Sequence, residues 1–486
     1  MRKTTSWLFT SALLVLPMVA VACGDNSDEP SSSSGGEAGG KSTEDKATGG
    51  KDSGTGGKED TGDTGGKSSG TAGETGTGGT TGEGGSGEAG FPGEMPTECD
   101  LSDDGVADLD RVEIVGPIDE DTTLTSGTVW QLNDKVHVTD GNTLTIEPCT
   151  RIEGQQDPIG VLIIDRGAEI DAVGTADEPI LFTSQIEEGN RRPGDWGGVI
   201  LLGQATNFNG ADVLIEGLED DPENMHGGSD DSDSSGRMSY VRIEYGGYEL
   251  APDVEINGLT FGSVGSGTKI DHIEVNTTLD DCFEWFGGKM NASYLVCNNE
   301  GDDMFDVDLG YRGKLSYLFG RQVNPISSDP NGFEMDSSID GKAPVTNITA
   351  SNATLCGLGE EGANVAYGMV LRESLTGTLD NIAATGFDYG VDLRDPDTNI
   401  SIANSLLFDM VSNDIGEPDE ADDGEPEDED PWFTDGTNNS TDSPGYDATD
   451  CDAANGPNSS VTGSGVGAFV DGADWMEGAW ISWDIE

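Results

Sequence analysis

Histidine is scarce, with only His137, His226 and His272 in 486 residues, and no Cys-x-x-Cys pair occurs. Ordinary zinc and haem sites therefore lack donors. Basic residues are few as well: 23 Lys and Arg stand against 94 Asp and Glu, a formal net charge of −71. Nucleic acid is excluded as an expected partner, because phosphate contacts need a basic surface. Beyond Val21 no apolar run is long enough to cross a bilayer, and no long helical pattern interrupts the chain. Apolar residues amount to 33%, low for a wholly globular protein. A long linker explains part of that shortfall.

The N-terminus has an export pattern. Arg2 and Lys3 form a basic start, and an apolar core runs from Trp7 to Val21. It ends Ala20-Val21-Ala22-Cys23, small residues before a cysteine, which resembles a bacterial lipoprotein cleavage site. That resemblance implies a signal peptide over 1–22 and lipidation of Cys23, although Ala20 stands where such sites usually have Leu. Residues 24–95 are almost entirely Gly, Ser, Thr, Lys, Glu and Asp, as in GGKDSGTGGKEDTGDTGGK. With no periodic apolar positions this stretch cannot form a core. Residues 23–95 read as a disordered tether spanning on the order of 50 Å, ahead of a folded domain at 96–486.

If Cys23 carries lipid, six cysteines remain: Cys99, Cys149, Cys282, Cys297, Cys356 and Cys451. An even number in an exported chain suggests disulfides. Fifteen pairings are possible and the sequence does not choose among them; pairing of neighbours in chain order is the preferred expectation.

The domain repeats itself. DDCFEWFGG (280–288) matches DDMFDVDLG (302–310) at an offset of 22 residues, and YGMVLRE (367–373) matches YGVDLRD (389–395) at the same offset. GFEMD (332–336) fits the template at longer spacing, and LTIEPCTRI (144–152) matches LIIDRGAEI (162–170) at 18. Short alternating segments recurring every 20 residues or so, bounded by Gly- and Asn-rich turns, indicate a solenoid whose stacked coils share one core. A right-handed parallel β-helix with coils of about 18–22 residues is the expected fold. Propeller blades need longer repeats.

Several segments carry a family likeness: GNTLTIEPCTRI, GAEIDAVGTADEPILFTS, GDWGGVILLG, YVRIEYGG, INGLTFGSVGSGT, DDCFEWFGG and GAFVDGADWMEGAW. Together they resemble a poorly characterised family of exported bacterial β-helix proteins, often cell-surface lipoproteins, over roughly residues 110–486. The resemblance implies fold and export but no secure activity. Cys149 stands where the family usually has Gly, which supports a local disulfide.

Alternation assigns the faces of each strand. One inward column reads Phe283, Phe305, Phe333, Met369, Val391; the next reads Trp285, Val307, Met335, Leu371, Leu393. The outward columns are acidic. One holds Glu284, Asp306, Glu334, Val370 and Asp392, and another holds Phe286, Asp308, Asp336, Arg372 and Arg394. A turn column contains Asp281, Asp303 and Asn331. Coils ~4.8 Å apart bring these acids face to face, where two carboxylates repel by about 1 kcal/mol even in bulk water. Calcium is the sharpest compensation, since it takes six to eight oxygen ligands. The candidate ligands are Asp281, Asp303, Glu284, Asp306, Asp308, Glu334 and Asp336. An arginine ladder through Arg372 and Arg394, with Arg312 and Arg321 nearby, is the alternative, and simple solvation a third.

The stretches 218–236 and 412–445 are expected to be acidic insertions between coils, disordered around 218–236 and 417–430. Residues 465–486, with Trp475, Trp480 and Trp483, are expected to cap the end of the solenoid. Phe286, Trp196 and Trp432 are candidates for stacking on sugars, and His272 reads as an ordinary strand residue. A lyase needs calcium and a basic residue, for which Lys289, Arg312, Lys314, Arg321 and Arg372 are candidates. A hydrolase can draw on Asp280-Asp281 and Asp302-Asp303, but the Gly-His-Gly and Arg-Ile-Lys segments of polygalacturonases are missing. The expected function is a lipid-anchored, calcium-stabilised surface protein that binds a glycan or a partner protein. A calcium-dependent polysaccharide lyase and a purely structural envelope scaffold are the alternatives.

Overall fold

The computed structural model describes residues 99–486, apart from 252–253, 325–329, 360–364, 396, 417–428, 453–455, 472–473 and 484–486. The signal peptide, Cys23, the tether and most of the acidic run 417–430 lie outside the described residues.

The strands form a parallel β-helix. Each coil lays down three lanes. In one well-formed coil, Lys269–Asn276 supplies two lanes, kinked at its middle, and Phe283–Phe286 supplies the third. The next coil repeats this with Asn291–Asn298 and Phe305–Asp308. Pairing between coils is parallel throughout, Lys269 against Asn291 and Phe283 against Phe305. Two lanes merge into a 15-stranded sheet and the third is a nine-stranded sheet running from Lys135–Val138 to Asp392–Leu393.

The kink has a local cause. Tyr240, His272, Tyr294, Tyr317, Asn352 and Asn381 all have φ between 52° and 59° and are skipped in the strand register. Asparagine tolerates this left-handed conformation; tyrosine and histidine do so at a cost. Stacking offsets it here. The rings of Tyr240, His272, Tyr294 and Tyr317 follow one another at 4.4, 4.5 and 4.7 Å, and Asn381 Nδ2 donates to Asn352 Oδ1 at 2.8 Å. His272 is thus a corner residue rather than an ordinary strand residue.

The core is the set of inward columns. Phe283, Phe305 and Phe333 are fully buried; Phe283 stacks on Phe305 at 5.5 Å, and Phe305 meets Phe333 edge-on at 5.8 Å. Trp285, Val307, Met335 and Leu371 form the adjoining buried column. The 22-residue offset is a true coil. The 18-residue match at 144–170 is not: Leu144 pairs with Ile170 and Val136 with Leu162, coils of 26 residues. The lanes share one alternating pattern, so that match aligned Thr143–Ile146 with Val161–Ile164, strands of different lanes.

Cysteines pair in chain order, Cys99–Cys149, Cys282–Cys297 and Cys356–Cys451. Such bridges suggest an extracellular or exported protein.

Three expectations about the periphery change. The C-terminal segment does not plug the solenoid end. It crosses the outside of the long sheet, with Ala479 donating to the Ala176 carbonyl, Asn276 and Asn298 donating to the Ser482 carbonyl, and Trp480 packing edge-on against Tyr240 and His272. Outward Val296, Phe319 and Ala383 make this flank apolar enough to need covering. The last coil is covered instead by the short helix Glu429–Thr434, whose Phe433 is fully buried in the main core and whose Trp432 donates to the Ile400 carbonyl. The 218–236 insertion is ordered: Val213–Leu214 pairs with Met225–His226, and Asp231 and Asp233 accept hydrogen bonds from Thr206 and Gln204. Ile215 and Leu218 lie over Phe286, which with fully buried Trp196 is therefore unavailable for stacking on sugars.

Candidate metal centre

The acids gather on the outer face of the nine-stranded sheet. Register brings Glu284, Asp306 and Glu334 opposite one another on adjacent strands, followed by Val370 and Asp392. Each lies between inward core residues, so alternation that buries Phe and Trp necessarily sends the carboxylates outward. The second column runs from Asp308 to Asp336 and Arg372, since the Asp336 amide donates to the Val307 carbonyl and the Arg372 amide to the Met335 carbonyl.

The turn column has a structural duty that needs no charge. Asp281 accepts the Asp303 amide at 2.9 Å, Asp303 accepts the Asn331 amide at 2.8 Å, and Asn331 accepts the Tyr367 amide at 3.0 Å. Asn331 does this with a neutral side chain. One oxygen of Asp281 and of Asp303 is thereby explained, and their negative charge is not.

Two groups of carboxylates converge closely enough to share an ion. Asp280, Asp281 and Asp302 each offer an oxygen, all within 4.8 Å of one another, and Asp281, Glu284 and Asp306 do the same. Oxygens on opposite sides of a calcium ion at 2.3–2.6 Å lie ~4.6–5.2 Å apart. The donors are hard oxygens, without nitrogen or sulfur, which suits calcium better than zinc or copper. Buried Asn257, reaching in from the 248–257 loop, donates through Nδ2 to Glu284 and leaves Oδ1 unpartnered. Oδ1 atoms of Asp306, Asp308 and Asp336 are likewise buried without hydrogen-bond partners.

Electrostatics mark the same place. Burial first, and neighbouring carboxylates second, push Asp281, Glu284, Asp303, Asp306 and Asp336 well above the usual carboxylate range. Asp280 is pushed up to about 8 by burial and by Asp302, Glu255 and Glu216. Asp308, pushed to about 6, is also raised mainly by burial. With no cation supplied, the ladder holds protons near neutral pH.

Arginine relieves only one end. Arg372 pairs with Glu334 and, at 3.2 Å, with Asp336, while Arg394 bonds Asp392 at 2.7 Å. Neither has an ion pair with Glu284, Asp280, Asp281 or Asp302 among the described residues. Arg312 and Lys289 pair instead with Asp231, and Lys314 lies exposed on another strand. Arg321 is buried beneath the C-terminal segment, bonded to Asn298 and the Trp483 carbonyl. Of the five basic candidates, Arg372 is the one ion-paired to the ladder.

Sequence reasoning places Asp281, Glu284 and Asp306 in one group. Of the seven acids offered as ligands, the structure leaves Asp303, Asp308, Glu334 and Asp336 beside that group rather than within either triad. Sequence reasoning does not find Asp280 and Asp302 as ligands, although the Asp-Asp doublets mark them. Exposed Glu216, half-buried Glu255 and buried Asn257 come from insertions between coils and carry no periodic signal.

This combination of a parallel coil, three-lane cross-section and acid-lined outer face defines an oxygen-rich β-helix. The chain belongs to the pectate-lyase-like β-helix domain family, whose model matches residues 116–481. No curated protein and no solved structure matches the chain.

Proposed function

We propose that the protein is an exported, lipid-anchored β-helix that binds calcium on its acid ladder and, through that calcium, an acidic glycan. The convergence of Asp280, Asp281, Glu284, Asp302 and Asp306 in two overlapping oxygen triads carries the reading. Three carboxylate oxygens fill at most half of the six to eight positions calcium takes. The open positions suit water or a uronate carboxylate, which a face with this charge repels unless a cation lies between them. The Cys23 signal and the Gly-rich tether support display at a membrane surface, and the three disulfides fit that compartment.

The family match and the position of Arg372 favour polysaccharide cleavage as a second reading, in which calcium neutralises the uronate and a base removes the neighbouring proton. Arg372 is committed to Glu334 and Asp336, which favours binding over catalysis. The test is retention of the full chain on immobilised polygalacturonate with calcium or chelator. Binding predicts calcium-dependent retention without product. Unsaturated product absorbing near ~235 nm, lost in Arg372→Ala, supports the lyase. Failure of calcium to bind at all removes both.

A further inference from the structure

We propose that the first strand, Asp110–Val115, is the interface through which a second copy of this chain docks, antiparallel and across a two-fold axis. Among the described residues the strand pairs only with Thr128–Asn133 and forms one end of the long sheet. The opposite end is covered by Trp432 and Phe433. At the first strand, by contrast, Asp110, Arg111, Val112, Glu113 and Val115 are all exposed, Val112 by 41% and Val115 by 69%. An open edge of unpaired backbone groups is a template for another strand.

Its sequence, DRVEIV, selects both the occupant and the register. In a parallel strand the outward backbone groups belong to alternate residues. An antiparallel copy can meet them only if the two-fold axis passes through a residue, so that residues of like parity face one another. An axis at Arg111 sets arginine against arginine, and one at Glu113 sets glutamate against glutamate. At Ile114 the axis leaves Glu113 opposite Val115. Only the axis at Val112 places Arg111 opposite Glu113 twice, with Val112 on Val112 at the centre. That is the reciprocal complementarity a closed two-fold interface requires. Within its own chain Arg111 lies 3.7 Å from Glu153 and keeps a side chain 41% exposed, so it is able to reach a partner. The interface is small and its association weak. It is independent of the acid ladder and of any glycan.

Cysteine cross-linking of the full-length chain tests the register. Val112→Cys is expected to yield a disulfide-linked dimer under mild oxidation. Val115→Cys, although more exposed, is not, because Val115 faces Leu109 in this register. Glu113→Arg added to Val112→Cys should abolish the dimer by opposing two arginines, and further addition of Arg111→Glu should restore it. Melting curves identify any variant that has lost its fold; Glu113→Arg removes a 3.4 Å contact from Asn133. No cross-link at Val112, equal cross-linking at Val115, or indifference to charge reversal would overturn the proposal.

Discussion

Replacing Asp306 by Asn tests the ladder at its middle rung. Asp306 lies between Glu284 and Glu334 in register, and Asn nearly preserves its shape. Two carboxylates ~4.8 Å apart repel by about 1 kcal/mol in water and by roughly 3 kcal/mol at an effective dielectric near 20. Asp306 has such a neighbour on each side, partly offset by attraction to Arg372. Proton uptake caps the penalty, so the expected gain for Asp306→Asn in chelator at alkaline pH is about 1–4 kcal/mol. This is opposite in sign to most substitutions of a half-buried residue. In calcium the variant should lose part of the metal's stabilisation, because one ligand of the Asp281–Glu284–Asp306 triad has lost its charge.

The pH dependence provides a second readout. Asp306 is pushed well above the carboxylate range and Asp280 up to about 8, from 3.8 in each case. Between those limits the folded chain holds protons that the unfolded chain has released, so stability falls as pH rises. The contribution is full below about pH 4 and is lost as pH passes about 8. Calcium competes with protons for the same oxygens, so its stabilisation should grow across that window. Thermal melts of parent and variant between about pH 5 and pH 8, in chelator and in millimolar calcium, measure both effects. If Asp306→Asn melts below the parent in chelator at about pH 8, and its calcium response matches the parent's, the ladder argument fails.

Removing the Cys282–Cys297 bridge by paired Cys→Ala substitution should cost about 3 kcal/mol by loop closure alone, since it closes a 15-residue separation; denaturant midpoints measure it. Phe433→Ala strips the cover from the last coil and should cost about 3–5 kcal/mol, with amide exchange rising first in Asn399–Ala403. Glu274→Gln should steady the C-terminal segment at alkaline pH. Glu274 is fully buried, accepts the Ser482 amide at 2.8 Å, and is pushed to about 8, chiefly by burial. Its contribution is present below about pH 4.5 and lost as pH passes about 8, so the parent's C-terminus should be cleaved faster by protease at pH 9 than at pH 6, and the variant's rate should change less.

The sequence by itself determined the coil, the inward columns and the acid ladder from Glu284 to Glu334. In a parallel solenoid the nearest spatial neighbour of a residue lies one coil away, so a 22-residue recurrence is also a contact map. Where the coil lengthens, that map fails. The coils from Gly236–Glu244 to Lys269–Asn276 and from Lys314–Arg321 to Asn347–Cys356 span 32 and 35 residues, and nothing local says where an insertion returns. Tertiary structure alone brought Glu216, Glu255 and Asn257 to the acids, laid Ile215 and Leu218 over Phe286, and turned the tryptophan-rich C-terminus onto the flank rather than the end. An apolar surface can be covered by any apolar segment that reaches it, because the hydrophobic effect has no direction. Repeat periodicity fixes which residues stack, whereas the path of the chain between repeats decides what covers them.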